Sequence, residues 1–306
     1  MNSSTPFPSG VITATITPMD RDLNADIDAL MAHCNELINK GCNGIVLLGT
    51  TGEANSFSVH ERKAIIEGVL QTGFDPNLLM VGTGCCAITD TVELTKHACQ
   101  SGAKNVLMLP PFYYKPVSDE ALFRYYAYVI ENVGDNDLQI YLYHIPPVSG
   151  VPITAPLIIK LIEAFPGIIA GIKDSGGDWN HMRELIRTFP SFRVYAGSEE
   201  FLLDTLKEGG VGCISATANV TISSIAEVFR QYQQGEDARD AQAFASSLRK
   251  VFTGRPFVSI LKGVLVRERG LAELNNMRPP NIPLSDEVIE DVVKEFRSVG
   301  SDKGRG

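Results

Sequence analysis

The sequence predicts a (β/α)8 TIM barrel followed by a C-terminal helical extension, and three observations carry this prediction. Short apolar runs alternate with amphipathic stretches from Gly10 to about residue 220, as in repeated βα units. There are eight such runs, whereas an open doubly wound sheet usually needs fewer strands. The runs are almost continuously apolar, which is typical of parallel strands buried on both faces.

The elements follow in order along the chain. The eight predicted strands are Val11–Ile16, Gly44–Leu48, Leu78–Gly82, Asn105–Leu109, Leu138–Tyr143, Ile168–Ile172, Phe192–Ala196 and Gly212–Ser215. After the first strand, apolar residues recur at helical spacing from Ile27 to Ile38. Beyond about residue 236 the strand-like runs stop, and three helices are predicted over Ala238–Val251, Pro256–Arg269 and Ser285–Val299. We therefore predict a catalytic barrel domain over residues 1–235 and a helical extension over residues 236–306.

Composition excludes several classes of protein. The chain has 306 residues, and 27 Lys and Arg against 36 Asp and Glu give a net charge of −9. This sign is wrong for a surface that binds phosphate backbones, so we expect no nucleic-acid partner. The N-terminal residues lack the pattern of a secretory signal, and no run approaches about 20 apolar residues. We expect a cytoplasmic protein with no membrane partner.

Cysteine and histidine spacing gives no sign of a metal or a disulfide. The six cysteines form no Cys-x-x-Cys pair, and the five histidines show no His-Glu-x-x-His spacing. We expect reduced cysteines and no metal site, although ligands brought together from distant segments would escape this test.

Lys173 is the first candidate catalytic residue, because it follows the sixth strand and the carboxyl ends of barrel strands form the active site. A lysine amine between apolar walls is poorly solvated, which favours its neutral, nucleophilic form and allows a Schiff base with a ketone. Tyr143 ends the adjacent fifth strand and is a candidate proton carrier. The alternatives are a lysine that extends to solvent or pairs with Asp174, and a tyrosine that only fills the core.

The loop Gly49-Thr50-Thr51-Gly52-Glu53 follows the second strand and is a candidate site for a carboxylate. Two glycines let backbone N–H groups converge on an anion. Thr50-x-x-Glu53 also has the pattern of a helix capping box, which needs no ligand. The chain contains no Walker A loop and no dinucleotide-binding glycine motif.

Four motifs occur together: Gly49-Thr50-Thr51-Gly52-Glu53, Pro111-Phe112-Tyr113-Tyr114, Tyr143-His144-Ile145-Pro146 and Gly171-Ile172-Lys173-Asp174-Ser175. In this order the chain resembles the dihydrodipicolinate synthase and N-acetylneuraminate lyase family, from Gly10 to the C-terminal helices. The resemblance implies a Schiff-base lyase on a (β/α)8 barrel that needs no metal or organic cofactor. It also implies a homotetramer built as a dimer of dimers.

The resemblance assigns roles to individual residues. Lys173 would form an imine with pyruvate or another 2-oxo acid, and Tyr143 would shuttle protons. Thr50 would link Tyr143 to Tyr113, which would serve the neighbouring subunit's site. The N–H groups of Thr50 and Thr51 would hold the substrate carboxylate.

The resemblance also gives pocket positions that bear on the substrate. Val148 stands where the synthase branch has an arginine for a second carboxylate, and His144 replaces the usual asparagine. Glu199 stands where the lyase branch has an aspartate for sugar hydroxyls. Ser175 and Ile214 complete the expected binding residues. Valine cannot hold a carboxylate, and Glu199 in the mouth would repel one unless a cation balances it, so we expect a hydroxylated or neutral distal group. His144 has the alternative of a purely structural imidazole.

These observations predict a pyruvate-dependent aldolase or lyase that makes or cleaves a 2-oxo-4-hydroxy acid. Within enzymes, the alternative is a dihydrodipicolinate synthase whose missing arginine is replaced from elsewhere. The alternative from another class is a regulatory protein that binds a 2-oxo acid without turnover. The intact set of candidate catalytic residues weighs against the regulatory protein, because binding alone needs no nucleophile; the set is Lys173, Tyr143, Tyr113 and Thr50.

Overall fold

Eight parallel strands close into a barrel in the computed structural model, which describes residues 6–270 and 272–302. They lie around the barrel in chain order, and β8 pairs with β1. The strands are β1 Gly10–Ala14, β2 Gly44–Leu47, β3 Leu79–Gly82, β4 Asn105–Met108, β5 Gln139–His144, β6 Ile169–Asp174, β7 Arg193–Ala196 and β8 Gly212–Ser215. The predicted fold class is confirmed.

Helices follow the strands, cover the outside of the barrel and form the extension. They are α1 Ile27–Asn39, α2 Val59–Gln71, α3 Ile88–Gln100, α4 Asp119–Val133, α5 Pro146–Ser149, α6 Ala155–Ala164, α7 Trp179–Thr188, α8 Leu202–Glu208, α9 Ala218–Gln233, α10 Arg239–Lys250, α11 Phe257–Arg269 and α12 Asp286–Asp302. The three helices predicted for the extension are present as α10, α11 and α12, with ends shifted by up to three residues. The boundary predicted at residue 235 lies between α9 and α10 and stays a prediction.

Strand alternation divides the hydrophobic core into two layers. Side chains that point into the barrel, among them Ile12, Val46 and Tyr141, form an inner cluster. Their neighbours along each strand, such as Val11, Ile45 and Leu142, pack outward against the helices. The same alternation decides which strand-end residues face the mouth of the barrel.

The main difference from the predicted strands lies in β5 and β6. Both are longer than expected at their carboxyl ends, so His144, Lys173 and Asp174 lie within strands and pair in register. Tyr143 pairs with Lys173, and His144 pairs with Asp174. This register places two candidate catalytic side chains on one face and two polar neighbours on the other.

The extension packs beside the mouth of the barrel around its own apolar cluster, which includes Phe252, Ile260 and Ile289. It is joined to the barrel by a buried ion pair between Lys262 of α11 and Glu53 of the β2 loop, with Nζ and Oε1 2.6 Å apart. Helices of the extension are therefore close enough to contribute side chains to a site at the strand ends.

Over residues 6–270 and 272–302, no helix is both long and apolar enough to cross a membrane. All six cysteines are free thiols.

Candidate active site

A cavity of about 370 Å³ opens at the carboxyl ends of the strands. This is the end at which barrel enzymes carry their active sites. Five strand ends and the extension line it with Thr50, Thr51, Tyr143, Ile145, Pro147, Val148, Lys173, Asp174, Ser175, Gly177, Gly197, Ser198, Glu200, Phe201, Ala216, Arg249 and Phe257.

Lys173 and Tyr143 lie side by side at the base of this cavity. Lys173 Nζ donates a hydrogen bond to the Tyr143 hydroxyl at 3.2 Å and lies 4.4 Å from the centre of the tyrosine ring. Both side chains are buried, at 5 % and 4 % exposure. The predicted nucleophile and the predicted proton carrier are therefore within direct reach of each other.

The environment of Tyr143 favours its ionised form. Burial by itself raises the pKa of the Tyr143 phenol, but the charge of Lys173 and hydrogen bonds from Thr50 and Ser175 outweigh it. The net result is a pKa below the ordinary value for tyrosine. A phenol in this state gives up and regains a proton more readily, as a proton relay requires.

The loop after β2 presents backbone donors to the cavity. The N–H groups of Thr50 and Thr51 donate no hydrogen bond within the described parts of the chain. At Gly52 an added Cβ would lie 3.1 Å from the Thr15 carbonyl oxygen, so a side chain would crowd the loop. Leu48 and Glu53 on either side of the loop adopt left-handed φ angles of 55°, an uncommon and strained conformation for these residues. The rest of the fold must hold this shape.

Glu53 secures the loop, and it does not act as part of a capping box. No side-chain cap forms at the short 3₁₀ turn Ala54–Ser56, so the alternative interpretation of Thr50-x-x-Glu53 is wrong. The Glu53 carboxylate instead pairs with Lys262 and accepts hydrogen bonds from the backbone N–H of Arg278 and the side chain of Asn281. The extension thus fixes the loop that carries Thr50 and Thr51.

Six of the predicted site residues line the cavity: Thr50, Thr51, Tyr143, Val148, Lys173 and Ser175. Four others, Tyr113, His144, Glu199 and Ile214, are absent from its lining. Ile214 is completely buried in the inner barrel core. Tyr113 is 74 % exposed and packs edge-on against Tyr114, with ring centres 5.2 Å apart. Its role for a neighbouring subunit stays a prediction.

His144 points to the outer side of β5, away from the cavity. Its ring stacks on that of His181 with centres 4.6 Å apart, and His181 hydrogen-bonds Asp174 at 2.6 Å. That hydrogen bond raises the pKa of His181, whereas burial lowers the pKa of His144.

The side chains of His144, Asp174 and His181 lie close enough together to be considered as metal ligands. The spacing of histidines along the sequence could not reveal such a cluster. His144 Nδ1 accepts the backbone N–H of Ile153 at 3.0 Å. The proton of the neutral ring therefore lies on Nε2, which leaves that nitrogen no lone pair for a metal. The hydrogen bonds explain the cluster as a structural one.

Glu199 is fully buried behind the cavity wall. Its carboxylate accepts hydrogen bonds from Ser215 at 2.7 Å, from Thr217, and from Arg249 Nη1 at 3.2 Å. The expectation that Glu199 lies in the mouth as a binding residue is therefore wrong, and the charge of Arg249 balances its carboxylate. The next residue, Glu200, lines the cavity in its place.

Like Glu200, Arg249 of α10 is a charged cavity residue that sequence reasoning missed. It belongs to no motif, and α10 reads as an ordinary amphipathic helix. The sequence feature that could have drawn attention to Arg249 is its spacing from Gln242, because residues seven apart lie on the same face of a helix. Gln242 donates to the backbone carbonyl of Glu199 at 2.8 Å, and together the two residues dock α10 on the segment after β7.

Comparisons with known proteins place this geometry in a family. The model of the dihydrodipicolinate synthetase family matches residues 7–298. The chain belongs to this family. It is accordingly an enzyme of the lyase and aldolase type, with the fold of pyruvate-dependent class I aldolases.

Similar proteins in this family carry different functional names. A protein from Chloroflexus aurantiacus, named an uncharacterised DapA-like lyase, is 34 % identical over 92 % of this chain and 94 % of its own length. The structure of dihydrodipicolinate synthase from Agrobacterium tumefaciens has a TM-score of 0.87 at 30 % identity, covering 95 % of this chain and 99 % of its own. That of Escherichia coli YagE in complex with pyruvate has a TM-score of 0.89 at 27 % identity, covering 95 % and 98 %. The family relationship leaves the substrate open.

Proposed function

We propose that this protein is a pyruvate-dependent, Schiff-base-forming aldolase that makes or cleaves a 2-oxo-4-hydroxy acid with a hydroxylated or neutral distal half. The observation that carries the proposal is the buried Lys173–Tyr143 pair, with its 3.2 Å contact, beside a loop with two unused backbone donors. The pyruvate complex of YagE supports the choice of 2-oxo acid.

The first half of the reaction joins Lys173 to pyruvate. The neutral amine attacks C2 of pyruvate, and the carboxylate accepts hydrogen bonds from the N–H groups of Thr50 and Thr51. Tyr143 moves the protons that convert the carbinolamine to an iminium ion with loss of water. Removal of a proton from C3 then gives an enamine.

The second half forms the carbon–carbon bond. C3 of the enamine attacks the carbonyl carbon of an aldehyde, and the aldehyde oxygen takes up a proton equivalent to the one lost from C3. Water hydrolyses the resulting iminium ion, which releases the 2-oxo-4-hydroxy acid and regenerates the Lys173 amine. Cleavage is the same sequence in reverse. In our proposal Tyr113 completes the proton relay from a neighbouring subunit of a homotetramer.

The substrate preference follows from the charges at the mouth. Val148, 66 % exposed on α5, offers no charge to a second carboxylate. Arg249 is the one observation that favours the synthase alternative, since it supplies a cation from elsewhere in the chain. It already faces both Glu199 and Glu200, so a third carboxylate would lack compensation. A regulator without turnover would not need the buried Lys173 and Tyr143.

Trapping of the imine tests this function. We expect borohydride to modify one lysine irreversibly in the presence of pyruvate, because reduction converts the imine to a stable amine. Peptide mapping by mass spectrometry should locate the added mass on Lys173. Lys160, half-exposed on α6, provides the matched control. Lys173→Ala should abolish labelling and turnover, and Lys160→Ala should retain both. Unchanged turnover by Lys173→Ala would refute the mechanism.

A further inference from the structure

A cluster of three polar side chains, His144, Asp174 and His181, adjoins the base of the cavity. Along the strands Asp174 directly follows Lys173, and His144 directly follows Tyr143. Both strand residues are buried, with 2 % exposure for Asp174 and 7 % for His144. The proposed reaction uses none of the three side chains, although their hydrogen bonds belong to the frame that carries Lys173 and Tyr143.

Asp174 joins β6 to three other segments. Its Oδ2 lies 2.6 Å from Nδ1 of His181 in α7, and its Oδ1 accepts the N–H of Gly176 in the loop after β6 at 2.8 Å. Its backbone carbonyl accepts the N–H of Gly197 after β7 at 2.6 Å. An ionised carboxylate only accepts, so His181 is the donor of a charge-assisted hydrogen bond, which is stronger than one between neutral groups.

His144 holds the same loop from the side of β5. Its backbone carbonyl accepts the N–H of Ser175 at 2.7 Å. An added Cβ at Gly176 would lie 2.9 Å from Nε2 of His144, so the loop backbone packs directly on the imidazole. The ring is fixed in turn by the N–H of Ile153 and by stacking on His181. The backbone at Ser175 and Gly176 is therefore held on two sides.

Ser175 connects this held loop to the reacting groups. It lines the cavity, and its side chain hydrogen-bonds Tyr143. Ser175 Oγ also packs against Gly197, where an added Cβ would overlap it. Hydrogen bonds weaken steeply with distance, so a loop shift of about 1 Å would separate Ser175 from Tyr143, and misplacement of this size can cost about 10²-fold in rate.

We propose that His181 is a positioning residue for the aldolase reaction: through Asp174 it fixes the loop after β6 and so holds Ser175 against Tyr143. This inference rests on the proposed function and adds to it a residue outside the cavity that sets the rate of the proton-transfer steps. His181 touches no substrate, and it acts only through the loop.

Exchange of the C3 hydrogens of pyruvate for deuterium tests the proposal, because it needs pyruvate alone and passes through the proposed enamine. Proton NMR in D₂O gives kcat and KM for the exchange. His181→Leu removes the donor to Asp174 and should lower kcat about tenfold or more. KM for pyruvate should change less than about twofold, since Thr50 and Thr51 hold the carboxylate. His181→Asn keeps an N–H donor near the position of Nδ1 and should retain kcat within about threefold.

His97→Leu is the matched control. His97 of α3 also pairs with a carboxylate, with 3.2 Å between its Nε2 and Oε1 of Glu67, but it lies outside the cavity. This variant should leave kcat and KM unchanged. If circular dichroism shows that His181→Leu does not fold, His181→Gln takes its place, because the Gln amide lies one bond further out than Nδ1. Equal kcat for His181→Gln and His181→Asn would then overturn the inference.

Ser175→Ala shows whether His181 acts through Ser175. Alone, this variant should lower kcat for exchange about tenfold or more. Adding His181→Leu to it should lower kcat by less than a further factor of about two, because the group that His181 positions is already missing. Losses that multiply in the double variant would indicate a merely structural role for His181 and overturn the inference. Wild-type kcat in either folded single variant would do the same.

Borohydride labelling of Lys173 separates this inference from the proposed function. Wild-type protein that pyruvate and borohydride do not label would refute the Schiff base, and with it both proposals. Labelling without deuterium exchange would refute the enamine step and also overturn both. Labelling and exchange in the wild type, with kcat unchanged in folded His181→Leu, would refute only the role of His181.

Discussion

At the scale of single residues, the proposed chemistry depends on one phenol hydroxyl. Tyr143 lies where Lys173 can donate to it, and its lowered pKa favours proton exchange. We expect Tyr143→Phe to reduce kcat by about 10²–10⁴-fold with the fold intact, the usual range for a positioned acid–base group. Steady-state kinetics with circular dichroism as a folding check would measure this.

Tyr141→Phe is a suitable comparison for that variant. Tyr141 lies on the same strand and is equally buried, but its hydroxyl is near Phe7 and Arg193, away from Lys173. We expect Tyr141→Phe to retain most of the activity. A loss below about tenfold in Tyr143→Phe would remove that hydroxyl from the relay.

At the scale of elements, the Lys262–Glu53 pair joins α11 to the loop after β2. Both side chains are completely buried, and burial lowers the pKa of Lys262 although Glu53 opposes this. Removing one partner leaves an uncompensated charge, so we expect Lys262→Met to lower the free energy of unfolding by about 3–5 kcal/mol. The Michaelis constant for pyruvate should rise as well, because the loop carries Thr50 and Thr51. Urea unfolding and steady-state kinetics would measure the two effects.

Two further variants complete this test. The double variant Lys262→Met with Glu53→Gln should recover part of the stability, because it removes the unpaired carboxylate. Lys294→Met changes an exposed lysine of α12 and should alter stability by less than about 0.5 kcal/mol. Similar stabilities for Lys262→Met and Lys294→Met would contradict a structural role for the buried pair.

At the scale of the whole molecule, His33 makes stability depend on pH. It lies where α1, α9 and α11 meet: its Nε2 is 2.8 Å from Asn219 Oδ1, and its Nδ1 is 2.7 Å from Arg269 Nη1. Burial, helped by the charge of Arg269, lowers the pKa of His33 to about 4, although the hydrogen bond from its Nε2 to Asn219 Oδ1 opposes the shift. The neutral ring donates through Nε2 and accepts through Nδ1, so protonation would set a second donor against Arg269.

The direction of the pH effect follows from this lowered pKa. Between about pH 6.5 and 4 the unfolded chain binds a proton at His33 that the folded protein does not, so stability falls as pH falls. We expect His33 to account for about 2 kcal/mol of lost unfolding free energy between pH 7 and pH 5. Urea unfolding at both pH values should show a correspondingly smaller loss of unfolding free energy for His33→Gln. The exposed control His60→Gln should lose as much as the wild-type protein. Equal losses in all three proteins would contradict this assignment.

The sequence by itself determined the barrel and the base of its site. Apolar periodicity is a local property, and eight βα units close in only a few ways, so strand order followed from chain order. Lys173 and Tyr143 came together because neighbouring parallel strands align their carboxyl ends, which alternation along each strand makes predictable. The loop with Thr50 and Thr51 was likewise recognisable from its own glycines.

The tertiary structure alone decided the distal part of the site. Three features depend on how α10 and the strand-end segments, which are far apart in sequence, pack together. They are the burial of Glu199, the orientation of His144 and the position of Arg249 at the cavity. The same holds for Glu53. Its sequence pattern is that of a helix cap, but its carboxylate pairs with Lys262 of α11 instead. Local sequence patterns specify which helix or strand a segment can form. A charged group needs a partner when burial removes it from water, and burial occurs only when distant segments pack together.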